Sequence, residues 1–225
     1  LNGYIDDIYG YDFINDDNDP IDDNAHGTHC AGIIAAAGDN GLDITGICWN
    51  AKIMALKFLN PLGYGNAEDA VAALYYAVEN GADVTSNSWS GGGYSKTMEE
   101  VINYAHSQGV ITVAAAGNDG IDSPVYPAFY EHAIAVAATD SNNQKAYFSN
   151  YGDWVDIAAP GFYILSLKAN RTSNGTPYND YTIIGSGTSM ACPHVAGACA
   201  LMLPIYPGIK VNTLKHVLLH STDPI

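Results

Sequence analysis

The chain has 225 residues, 48% of them hydrophobic and 14% charged, and a formal net charge of −16. That length can bury one substantial core. No apolar run reaches the roughly 18 residues of a membrane-spanning helix, and the strong negative charge argues against nucleic-acid binding. Eight of the 24 acidic residues fall in the first 25 positions, so the chain opens on an acidic loop. Within it Asp12, Asn15, Asp17 and Asp19 alternate oxygen donors along an irregular segment, which suits a hard cation such as calcium. A solvated acidic loop is the alternative. The segment His26-Gly27-Thr28-His29-Cys30-Ala31-Gly32 places an imidazole at the start of a small-residue helix. Residues 52–59 read as a strand. Residues 66–80 read as a helix with Asn66 as N-cap, with Val71, Leu74, Tyr75 and Val78 on one face, and with Gly81 just past its end. Residues 83–89 form a strand. Residues 97–108 form a helix opened by the capping box Thr97-x-x-Glu100 and stopped by Gly109. Residues 110–116, 133–139 and 154–158 are short strands of continuous apolar character, as in a parallel sheet covered on both faces.

This alternation predicts an α/β fold of three layers, a mostly parallel central sheet flanked by helices, in a single domain over residues 1–225. Residues 171–178 are a polar loop. With its flank it carries formal glycosylation sequons at Asn170 and Asn174, a tripeptide pattern that most often arises by chance. Cys192 and Cys199 lie seven apart on one predicted helix, roughly 10 Å along its axis, beyond disulfide reach. Cys30 and Cys48 sit among small and apolar neighbours, so four free thiols are expected. No Cys-x-x-Cys spacing suggests zinc.

Residues 185–197, Gly-Ser-Gly-Thr-Ser-Met-Ala-Cys-Pro-His-Val-Ala-Gly, carry the strongest functional signal. Ser189 sits in a small-residue turn leading into an apolar helix, whose N-terminus favours developing negative charge. A serine hydroxyl needs a base within reach, and His26 is the candidate. Asn118 ends the strand Ala114-Ala115-Ala116-Gly117, where little bulk would block a substrate, and an amide there can stabilise an oxyanion.

Base, oxyanion donor and nucleophile thus follow one another along the chain. The three segments resemble the subtilisin family of serine proteases, on its thermitase and proteinase K side, from about Tyr11 to the end. The resemblance implies a serine endopeptidase with His26 as base, Ser189 as nucleophile and Asn118 as oxyanion donor. His29 and His194 would be structural. Ser88, Trp89, Ser90 and Gly91, with Gly92, match the edge strand that binds an extended peptide. Ala115, Ala116 and Gly117 match the wall of the primary specificity pocket, and with no acidic residue in either segment an apolar or aromatic side chain is expected there. Asp12, Asn15, Asp17, Asp19 and the Ile21 carbonyl resemble one calcium loop, and Asn40 lies in a second. Cys30, near the histidine, would make activity sensitive to thiol reagents. The family also implies secretion, a propeptide, protein or peptide substrates and a monomer. Its Asp-Ser/Thr-Gly motif is absent, so the chain is expected to be truncated at both ends, with the N-terminal strand and the orienting aspartate upstream of Leu1. A degenerate subtilase that holds peptides without cleaving them, or a structural fragment of a larger protein, are the alternatives.

Overall fold

The structure, a computed structural model, describes residues 4, 7–169, 176–177 and 179–223. Both sequons lie outside the described residues. In chain order the elements are β1 (Gly10–Asp12), α1 (His26–Ala35), β2 (Ala55–Lys57), α2 (Ala67–Glu79), β3 (Val84–Asn87), α3 (Lys96–Ser107), β4 (Ile111–Ala115), β5 (Ala133–Thr139), β6 (Ile157–Pro160), β7 (Ile164–Leu167), β8 (Thr176–Pro177), β9 (Thr182–Gly185), α4 (Thr188–Met202) and α5 (Val211–His220).

β3, β4, β5 and β6 form a parallel sheet in that order. Every residue of β4 and β5 is buried, because helices cover both faces. Side chains alternate between the two layers. Ile111, Val113, Ile134 and Val136 pack against Cys192, Val195, Ala196 and Cys199 of α4 and Leu214 of α5. Ala114 and Ala135 turn to the other face, on the side where α2 and α3 pack together through Leu74, Met98, Val101 and Ile102. Each such aliphatic side chain contributes about 1.5–3 kcal/mol by burial. All four cysteines are free and buried.

The α2 cap is as expected: Asn66 Oδ1 accepts the Asp69 N–H at 2.8 Å. The buried face differs at one position, since Tyr76 is inside and Tyr75 outside. The α3 start also differs. Ser95 is the N-cap, accepting from Met98 N–H, and Thr97 lies within the first turn. Two hydroxyls two residues apart compete for the role, and Ser95 wins because its N–H is tied to the buried Tyr130 hydroxyl. The strand expected over 52–59 narrows to β2, and that over 154–158 moves to β6.

The expected single central sheet is divided. β1 and β2 pair only with each other among the described residues, and β2 and β3 each end a sheet. Between them runs a groove of about 2190 Å³, lined by residues 54–58 on one side and 84–88 on the other, with His26 and Cys30 on its wall. The unused N–H and C=O groups of two strand edges therefore line the same groove. β7, β9 and β8 form a separate antiparallel sheet, which delivers Gly185 to the turn before α4.

Candidate active site

Three elements converge on the site: the start of α1, the end of β4 and the start of α4. The chain enters α1 through Ala25, buried and held at φ 83°, a left-handed conformation costing on the order of 1 kcal/mol for a non-glycine residue. Asp22 stabilises this entry. Its Oδ1 accepts the Asn24 and Ala25 N–H groups at 2.9 and 2.8 Å, and its Oδ2 accepts Thr28 N–H at 2.7 Å. Burial works against the Asp22 charge, but the bonds from the Thr28 hydroxyl and N–H and from the two upstream N–H groups outweigh it and hold the carboxyl below its usual range. The carboxylate nearest His26 in charge is thus committed to capping the helix. Burial holds the His26 imidazole below the ordinary histidine value of 6.5, and Asp22 offsets part of that. The ring is consequently neutral near pH 7, the state a general base requires.

Ser189 is the second residue of α4, so its N–H has no intrahelical acceptor. Its Oγ donates to the Ser88 carbonyl at 3.1 Å, and its carbonyl accepts from Ser88 Oγ at 2.8 Å and Cys30 Sγ at 3.3 Å. Cys30 Sγ also lies 4.0 Å from His26 Nδ1. The thiol therefore touches both the His26 ring and the Ser189 backbone. Burial pushes it up to about 12, so thiolate is scarce at neutral pH and a reagent meets a poorly reactive group. The serine hydroxyl faces Ser88, not the imidazole. Catalytic hydrogen bonds are commonly loose before substrate arrives.

Asn118 is exposed, and its amide is set by Thr188. Asn118 Oδ1 accepts the Thr188 N–H at 2.8 Å and the Thr188 hydroxyl at 3.0 Å, while Thr188 Oγ1 accepts Gly117 N–H at 3.1 Å. With its oxygen used, Asn118 presents Nδ2 as donor. Gly187 adjoins this donor, since a Cβ there would lie 3.5 Å from Nδ2, in ordinary van der Waals contact. The role of Thr188 is not evident from sequence; its place inside the 185–197 motif, directly before Ser189, is the available signal. His29 and His194 are each tied to the backbone, with His29 Nε2 3.1 Å from the Ile164 carbonyl and His194 Nδ1 2.8 Å from the Met190 carbonyl.

The substrate residues separate into two groups. Ser90 and Gly91 form an exposed ribbon beyond β3, with Gly91 N–H bonded to Tyr126 O at 3.2 Å. Ser88 instead supports Ser189, and Trp89 is half-buried with its ring 5.1 Å from that of Phe58. Ala115, Ala116 and Gly117 are buried; they form a close-packed backing behind Asn118, and their side chains do not reach the surface.

The subtilase family, Peptidase_S8, matches residues 2–224. The chain belongs to the subtilase family. It is 46% identical over 196 residues to "Thermophilic serine proteinase" of Bacillus sp. (strain AK1), covering 87% of this chain and 46% of that protein. It is 44% identical over 218 residues to "Thermitase" of Thermoactinomyces vulgaris, covering 97% and 74%. Its structure resembles that of a cold adapted subtilisin-like serine proteinase with a TM-score of 0.83 at 32% identity, covering 94% of this chain and 72% of that one. This chain therefore spans less than half of the first relative and about three quarters of the second. Among the described residues, no helix is long and apolar enough to cross a membrane.

The calcium expected of a subtilase was tested against the acidic loop. Asp12 and Asp17 bridge through their backbones. Asp12 is buried, with Oδ1 accepting the Ile14 and Asn15 N–H groups and Oδ2 accepting Asn15 Nδ2 and Lys57 Nζ, the last at 2.5 Å. Asp17 Oδ1 accepts Asp19 N–H. Asp19 and Ile21 are exposed. The oxygens fit calcium in type, but an ion on Asp12 must displace Lys57. That amine has a second partner, Asp23, at 3.3 Å, so the exchange would not strand it. Asn40 Oδ1 is used within its own turn, accepting Leu42 N–H.

Proposed function

We propose that the protein is a serine endopeptidase acting on protein or peptide substrates. The observation that carries this is the Thr188 clamp, which leaves the Asn118 Nδ2 donor beside a serine at a helix N-terminus. Ser189 Oγ attacks the scissile carbonyl while His26 takes its proton. Asn118 Nδ2 and the Ser189 N–H hold the oxyanion, in line with the α4 dipole. His26 then protonates the leaving amine, and water resolves the acyl-enzyme with His26 again as base. The exposed ribbon at Ser90, Gly91 and Gly92 lies open to an extended peptide, with the Gly91 N–H already bonded to Tyr126 O, and the lack of acidic residues in segments 88–92 and 115–117 favours an apolar side chain in the primary pocket.

Asn118→Ala should lower kcat about 100- to 1000-fold with little change in KM, a size taken from a subtilisin. Steady-state kinetics on a peptide substrate decide it; an unchanged kcat shows that another donor holds the oxyanion. A peptide-binding subtilase without catalysis is the second reading, and it rests on Asp22 being committed to its cap. Slow but real phosphonylation of Ser189 counts against that reading.

We further propose that calcium binds the loop through Asp12, Asn15, Asp17, Asp19 and the Ile21 carbonyl, with Lys57 moving to Asp23. Binding to the folded state alone stabilises by about 2.7 kcal/mol at a hundredfold excess over Kd. Calcium should therefore raise the melting temperature and a chelator lower it, and Asp12→Asn with Asp17→Asn should weaken the response. Superimposable melting curves with calcium and with chelator leave the loop as a solvated segment. A site through Asn40, secretion, a propeptide and a monomeric state stay within the same family-based proposal.

A further inference from the structure

Two imidazoles lie outside the site and take no part in its chemistry. His216 and His220 stand one turn apart on the exposed side of α5, with ring centres 3.9 Å apart and planes tilted by 36°. We propose that they form a two-imidazole surface site for a borderline transition-metal ion such as Ni²⁺, Zn²⁺ or Cu²⁺. Residues four apart on a helix share a face, so both side chains leave α5 in the same direction. Metal–nitrogen bonds of about 2.0–2.1 Å at a tetrahedral angle place two ligand nitrogens about 3.3 Å apart and, with both lone pairs aimed at the ion, the ring centres about 5 Å apart, so the two exposed rings, now centred 3.9 Å apart, must open by about 1 Å to take it.

A second observation points the same way. His220 Nδ1 lies 2.8 Å from the His216 carbonyl. A carbonyl only accepts, so Nδ1 carries the proton and Nε2 keeps its lone pair. Metal-binding histidines are commonly fixed in this manner, by donating the other ring N–H to a backbone carbonyl. The other close histidine pair lacks this arrangement. His106 and His132 stack face to face, with planes only 6° apart, and His106 Nε2 is taken by Asn212 Oδ1 at 2.9 Å. Two nitrogen donors also separate this site from the oxygen-rich acidic loop, because imidazole suits nickel, copper and zinc whereas carboxylates suit calcium and magnesium. The softer competitors are withdrawn, since all four cysteines are buried.

The test is Ni²⁺ titration of the protein by calorimetry, alongside melting temperature with and without Ni²⁺ in the presence of excess Ca²⁺. Binding near one ion per chain and a rise in melting temperature are expected. His216→Gln and His220→Gln should each weaken binding by about tenfold or more and abolish the rise, with the metal-free melting temperature and peptidase activity unchanged. No binding by the parent protein, affinity unchanged in both variants, displacement of Ni²⁺ by Ca²⁺, or loss through His106→Gln instead would each overturn the assignment.

Discussion

With the orienting aspartate supplied to His26, Ser189→Ala should reduce peptide hydrolysis by about 10⁶-fold, the size seen when a subtilisin loses its nucleophile. The variant should fold almost unchanged. The hydroxyl makes one bond, to the Ser88 carbonyl at 3.1 Å, worth about 1 kcal/mol. Alanine returns up to about 0.7 kcal/mol through its better helix propensity in the first turn of α4. The tether between the end of β3 and α4 also survives, because Ser88 Oγ bonds to the backbone carbonyl of residue 189 and not to its side chain. Activity should therefore fall while the melting temperature moves by a few degrees at most. Substantial turnover by the alanine variant, once contaminating protease is excluded, removes Ser189 from the mechanism. A large fall in melting temperature instead means that the loss of activity reports folding.

The parts of this fold legible in sequence are those governed by local chemistry. The continuous apolar runs of β4 and β5 follow from a sheet covered on both faces, and Asn66 followed by acidic first-turn residues fixes the start of α2. The three motifs point to the family because a small-residue turn, an imidazole at a helix start and an amide at a strand end have few other uses together, and the family model matches residues 2–224; the roles of base, donor and nucleophile remain part of the proposed mechanism. What was not legible depends on partners distant in sequence. Ser95 displaces Thr97 as the α3 cap because Tyr130, thirty-five residues away, fixes it. Thr188 sets the Asn118 amide across a separation of seventy residues. Ser88, expected to meet substrate, is turned under Ser189 for the same reason. Lys57 reaches Asp12 across forty-five residues, so a calcium loop read from spacing alone carries an unforeseen competitor. No single-sequence pattern records which side chain will occupy a carboxylate.

The groove between β2 and β3 leads to the second large effect. Residues 1–225 tested as they stand should phosphonylate Ser189 slowly. His26 has no free carboxylate partner among the described residues, since both Asp22 oxygens are held by the α1 entry. Without one, neither the imidazole tautomer nor the imidazolium formed during attack is stabilised, and in serine proteases, subtilisins among them, losing that group costs about 10⁴-fold. Such a carboxylate would come from a strand entering the groove. Two strand edges with unused backbone groups line it, and His26 lies on its wall. A strand seated there would satisfy both edges and join the two sheets into one, and an aspartate near its end would face the imidazole. A version extended by such a strand, or the 225-residue chain mixed with a strand-forming peptide bearing the aspartate, should label up to about 10⁴-fold faster with a fluorophosphonate. The pH profile provides a second readout. Burial now holds His26 below 6.5, and an added negative charge favours the imidazolium, so the acid limb of labelling should move to higher pH when the groove is filled. The same peptide with asparagine in place of aspartate should fill the groove and raise the melting temperature while leaving labelling slow and the limb unmoved. Fast labelling of the chain alone, equal to that of the filled form, means that a carboxylate within residues 1–225 already serves His26 and that the groove has another occupant.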